Sequence, residues 1–200
     1  MIKKMTCLII VISMLFSNVL AFENNINCDS NIETTYSSQI ANDFSISIRD
    51  NGNLREVRVT DLSNGEKSYA VYEKSTDKLT LNGENVDFVK VDDDDINNYT
   101  LYANQSRELL KQRTIKINVA GMSASAIVAA IVAAVGGGIT LSVVSSMITA
   151  ALSDNLIQDY ISVKVYSYWD PSTINQSRPK FWREFEIYAG PNCDKLLGRI

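Results

Sequence analysis

Glu184 and Glu186 lie two residues apart in a stretch where Phe181, Arg183, Phe185 and Ile187 alternate with Trp182, Glu184, Glu186 and Tyr188. Residues i and i+2 of a strand share a face, so the two carboxylates point the same way, as a general acid and a general base would. The solvated face of an edge strand shows the same pattern, and that is the expectation here. The chain has no histidine, which excludes Ser-His and Cys-His nucleophiles and removes the commonest zinc ligand. Asp92 to Asp95 place four carboxylates in a row. A calcium loop alternates its ligands and turns on a glycine, so this run reads as a solvated acidic loop. No catalytic, metal-binding or cofactor-binding residue is assigned, and the chain reads as a non-enzyme.

The remaining reactive side chains are cysteines, and their chemistry depends on compartment. Lys3 and Lys4 followed by the apolar run Met5 to Phe16 resemble a secretory leader, with Val19-Leu20-Ala21 as the cleavage site. Cys7 falls inside that leader, leaving Cys28 and Cys193 in a chain expected to be secreted. In an oxidising compartment two such thiols are expected to pair and tie the ends of the mature chain together. Closing so long a loop stabilises by roughly 5 kcal/mol on the chain-entropy model. Loss of the leader lowers the basic residues from 19 to 17 against 23 acidic ones, a net charge of −6. Neither nucleic acid nor anionic lipid is therefore expected to be bound through the chain's overall charge, and nucleic acid is not an expected partner.

Five regions position these groups, and together they predict an α+β fold. After the leader, residues 1–21, comes a loosely ordered Asn/Ser/Thr-rich lead-in over 22–43. Residues 44–95 alternate with period two: Phe44, Ile46 and Ile48, then Val57 and Val59, then Tyr69 to Lys74, Lys78 to Leu81 and Val86 to Val91. Turns at Asp50-Asn51-Gly52-Asn53, Ser63-Asn64-Gly65, Ser75-Thr76-Asp77 and Asn82-Gly83 separate these runs, predicting an antiparallel meander of about five strands. Residues 96–160 form a helical region that begins with a helix near Ser106 to Gln112 and includes the apolar centre. Residues 161–200 return to alternation (Ile161, Val163, Val165) and predict a C-terminal β-hairpin.

The apolar centre is an uncharged run from Ile117 to Ser153. Helical winding aligns Ala126, Ala130 and Ala134 on one side and Ile127, Ile131 and Val135 on another, a small-xxx-small stripe beside a branched one. Gly136, Gly137 and Gly138 interrupt it, and three glycines favour a turn over continued helix. The expectation is an apolar helical hairpin with its tip at these glycines. Such a segment is a buried core, a hairpin that enters the bilayer of a target cell and self-associates there, or a single transmembrane helix at about 126–152 in an envelope protein. The last would place Cys28 and Cys193 on opposite sides of the membrane.

The order of parts resembles that of a group of secreted Gram-positive proteins. A leader, a turn-rich β segment carrying Tyr72-Glu73-Lys74-Ser75-Thr76-Asp77-Lys78-Leu79-Thr80-Leu81-Asn82-Gly83, a Gly/Ala-rich apolar centre and an aromatic tail hairpin are similar to proteins grouped with geobacillin-type large bacteriocins. That resemblance implies a secreted, antibacterial protein whose central segment acts on membranes. It supplies no active-site residue.

Overall fold

A computed structural model describes residues 35–41, 43–92, 107–136, 139–173 and 175–200. The leader, Cys28, Asp93 to Asp95, Gly137 and Gly138 lie outside the described residues. Among the described residues the fold is α+β, with two antiparallel sheets and two α-helices.

The first sheet is a plain meander in chain order: β1 (Thr35–Ala41), β2 (Phe44–Asn51), β3 (Leu54–Asp61), β4 (Lys67–Glu73), β5 (Lys78–Leu81) and β6 (Glu84–Asn85). Its inner face carries Phe44, Ile46, Val57, Val59, Ala70, Tyr72 and Leu79, all buried. The predicted strands and turns at 44–81 are present. The expected lead-in, however, contributes β1, which pairs with β2 from Thr35↔Asp50 to Ala41↔Phe44. Backbone pairing along an edge does not require the apolar alternation that makes an inner strand legible.

The second sheet takes the order β11-β10-β9-β8-β7, from β7 (Phe88–Asp92), β8 (Glu108–Asn118), β9 (Tyr160–Trp169), β10 (Phe181–Ala189) and β11 (Lys195–Arg199). The run Val86 to Val91, read as the end of the first meander, supplies β7 to this sheet instead. The helix expected near Ser106 to Gln112 is corrected: Glu108 onward is β8, held between β7 and β9. Arg107, Leu109, Leu110, Lys111 and Gln112 have good helix propensity, and pairing with β9 from Glu108↔Trp169 to Gln112↔Tyr166 overrides it. The tail strands do form the C-terminal hairpin, with Phe181↔Trp169 through Ala189↔Ile161 as partners.

Helix α1 (Ala124–Val135) and helix α2 (Leu141–Ser153) form an excursion between the neighbouring strands β8 and β9. Asn118 pairs with Tyr160, and the Val119 N–H donates to the Asp159 carbonyl at 2.7 Å, closing the base. Both ends of the uncharged run therefore leave from one point of one sheet. Helix α1 packs on β3, β4 and β5 of the first sheet and on β8 and β9 of the second, which makes it a middle layer. Eleven of its twelve residues are buried, as a helix apolar nearly all round requires, and the one buried hydroxyl, Ser125, is hydrogen-bonded to Ser68 at 2.8 Å.

Ser123 caps α1, its Oγ accepting from the Ala126 N–H at 3.4 Å and donating to the Glu66 carboxylate. Gly136 ends the helix at φ +85°, where a side chain is strained. The apolar run is thus divided into helices of 12 and 13 residues. Among the described residues no helix is long and apolar enough to cross a membrane.

Candidate functional site

The carboxylate pair lies on the outer face of the second sheet, but β10 is not an edge strand. It runs between β9 and β11, and Glu186 is only 6% exposed. Register places Lys164 opposite Glu186 on β9 and Arg199 opposite it on β11. Glu186 Oε2 accepts from Tyr166 Oη at 2.8 Å and Tyr188 Oη at 2.7 Å, while Oε1 pairs with the Arg199 guanidinium. Burial alone would raise the Glu186 pKa, but hydrogen bonds from Tyr188, Tyr166 and Arg199 outweigh it and hold the carboxyl below its usual range. Burial, and then the bond to Glu186, push the Tyr166 phenol well up. The bond to Glu186, aided by burial, takes Tyr188 up to about 12.

Chemically this is a heavily engaged carboxylate. It is ionised at neutral pH, which unfits it as a general acid, and three donors already occupy its two oxygens, which weakens it as a base. Glu184 faces Tyr166 across the strands and binds Arg107 at 2.6 Å on the exposed surface. The two carboxylates share a face, as their spacing predicts, but they hold strands together. Arg199 joins β11 to β10, and Arg107 joins the start of β8 to the same strand.

The other charged cluster controls α1. Arg55 on β3 donates from Nη1 to the Ala133 carbonyl at 2.8 Å and from Nε to Asp50 at 2.9 Å. It thereby satisfies an orphan carbonyl in the last turn of α1 and brings positive charge to the negative end of the helix dipole. Asp50 also pairs with Lys74. Burial would raise the Asp50 carboxyl, but hydrogen bonds from Lys74 and Arg55 prevail and keep it below the usual range. A Cβ on Gly136 would land on the Arg55 guanidinium. The glycine is needed both for its backbone angle and for this close approach.

The expected stripes are all inside the protein. Ile127, Ala130 and Ile131 are fully buried, and Ala126, Ala134 and Val135 are nearly so. Of the predicted hairpin tip, Gly136 is described and occupies the end of α1. Cys193 is half-buried with φ +57° in the turn between β10 and β11.

Comparison with protein-family models, with curated proteins and with solved structures finds no match. Two features escaped the sequence reading. The Arg55 latch joins positions 78 residues apart, and no local pattern encodes it. Burial of Glu186 follows from the pairing of Lys195–Arg199 with β10. Its signal was the ring pattern Tyr166, Tyr168, Trp182 and Tyr188 around the carboxylates.

Proposed function

We propose that this is a secreted, non-enzymatic, bacteriocin-like protein that carries an apolar helix pair folded between two sheets and delivers it to the bilayer of a target cell. One observation carries this reading: α1 is uncharged and, beyond Ser125 in its first turn, apolar on every side, and the excursion holding it begins and ends at the paired residues Asn118 and Tyr160. A segment closed at its base can leave the sandwich while both flanks stay on one side of a membrane. A single span at about 126–152 would instead put β8 and β9 on opposite sides and destroy the second sheet.

Release into water is opposed by about 25 cal/mol for each Å² of apolar surface exposed, so an apolar host must be at hand. Helix α1 is about 18 Å long at 1.5 Å per residue, short of a hydrocarbon core of roughly 30 Å. Insertion therefore calls for both helices, or for several copies acting together, and a homo-oligomer on the membrane belongs to the proposal. A Cys28–Cys193 bridge would tie the ends of the mature chain while the centre moves.

Dye release from liposomes tests this. Purified protein is expected to empty vesicles, and Gly136→Ala, which disturbs the Arg55 latch, is expected to lower the unfolding midpoint and speed release. Vesicles that stay sealed with both proteins between pH 4 and pH 8 (roughly from the ordinary carboxylate pKa to well above it) would sink the proposal.

A further inference from the structure

The end of the second sheet remote from the helix excursion gathers exposed rings and cations beyond the Glu186 hydrogen bonds, to which it is joined by the stacking of Tyr168 on Tyr166. The last two cross-strand pairs of the β9–β10 hairpin are Trp182↔Tyr168 and Phe181↔Trp169. Successive pairs project to opposite faces. The first pair stacks with centroids 6.0 Å apart, the second at 6.5 Å. Phe181 is 63% exposed, and Leu110, beside the bulge of β8, is 50% exposed. The Trp169 indole N–H donates to Glu108 at 3.0 Å, so its polar edge is already satisfied. From Asp170 to Arg183 the chain has one acid and three cations, the exposed Arg178, Lys180 and Arg183. This local excess of positive charge stands out in a chain of net charge −4.

We infer that this hairpin end is a membrane-docking tip, with Phe181, Trp182 and Leu110 entering the headgroup boundary of an anionic bilayer and Arg178, Lys180 and Arg183 facing lipid phosphates. Aromatic rings with a polar edge favour the water–hydrocarbon boundary, and basic residues beside them select anionic lipid. Rings on both faces of a hairpin suit a fluid that closes around them, whereas a sugar platform or a protein pocket meets one face. The inference rests on the bilayer reading of function and adds the point of contact and the class of lipid.

Both tryptophans of the chain, Trp169 and Trp182, lie at this tip, so intrinsic emission reports on it without a label. Full-length protein is titrated with vesicles of phosphatidylcholine alone or mixed equally with phosphatidylglycerol. Blue-shifted emission and co-sedimentation are expected with the anionic vesicles, weakening at high salt as charge is screened. Phe181→Ser is expected to reduce partitioning about tenfold, the value of one buried aromatic side chain. Arg178→Glu combined with Lys180→Glu is expected to abolish the preference for anionic lipid. Circular dichroism of each variant confirms an intact fold. Equal binding to neutral vesicles, or wild-type binding by the charge-reversed variant, overturns the tip. Binding without dye release would leave the tip standing and remove the delivery role; release undiminished in both tip variants would do the reverse.

Discussion

Helices α1 and α2 come from one uncharged run and have similar lengths, yet they are buried very differently. Helix α1 is enclosed on all sides, while α2 buries only Leu141, Val144, Ser145, Ile148 and Ala151. The difference is one of place. Helix α1 lies between two sheets, whereas α2 sits at the margin, against β1, β11 and α1. Their sequences respond to those places. Helix α1 is built from Ala, Ile and Val with a single serine, whereas Ser142, Ser146, Thr149 and Ser153 mark the open side of α2. Composition alone therefore overstates how lipid-like the second half of the run is.

The largest test of that contrast truncates one side chain to Ala in each helix. Ile131→Ala in α1 is expected to cost about 2–5 kcal/mol, because sheets on both sides hold the cavity open. Thr149→Ala on the exposed side of α2 is expected to stay within about 0.5 kcal/mol of wild type. Urea unfolding measures both. Equal losses would mean that the two helices share one environment.

Much of this arrangement was legible from local pattern and some of it was not. Period-two alternation with Asn-Gly and Asp-Asn-Gly turns marks β2 to β5, because hairpins are encoded within a few residues. The apolar repeat and Gly136 mark α1 and its end. Partner choice is different, since alternation says which face of a strand is buried and nothing about which strand lies beside it. That is why Phe88–Asp92 was read into the wrong sheet, why the first turns of β8 read as helix, and why Glu186 read as an edge carboxylate. The buried state of α1, one of three readings left open by its composition, depends on two sheets whose strands are distant in the chain.

A smaller effect sharpens the contrast at the helix ends. Among the described residues α1 is held at its C-terminus by Arg55, while the last turn of α2 contains no basic residue. Arg55→Ala removes a hydrogen bond to the Ala133 carbonyl and the partner of Asp50, and is expected to cost about 1–3 kcal/mol. Amide exchange locates the loss: protection should fall first in the last turn of α1 and remain in α2. A uniform loss across both helices would show that Arg55 supports the fold as a whole and does not latch α1.

The same latch gives the two helices different responses to acid. Asp50 has a folded pKa below its unfolded value, so its contribution is fully present above the ordinary carboxylate range, near pH 4, and disappears as pH falls through the depressed folded value. Asp77, Asp92 and Glu186 are lowered as well and add to the acid loss of the whole domain. Asp50→Asn isolates the helix term. Its unfolding midpoint should start lower at neutral pH, since Arg55 and Lys74 lose their charged partner, and then decline less steeply than wild type below about pH 4. The residues that ease first on acidification should be those around Ala133 and Gly136, with α2 following only at global unfolding. Identical acid slopes for the two proteins would separate Asp50 from the hold on α1, leaving the Arg55 bond to the Ala133 carbonyl to restrain the C-terminal end of that helix without it.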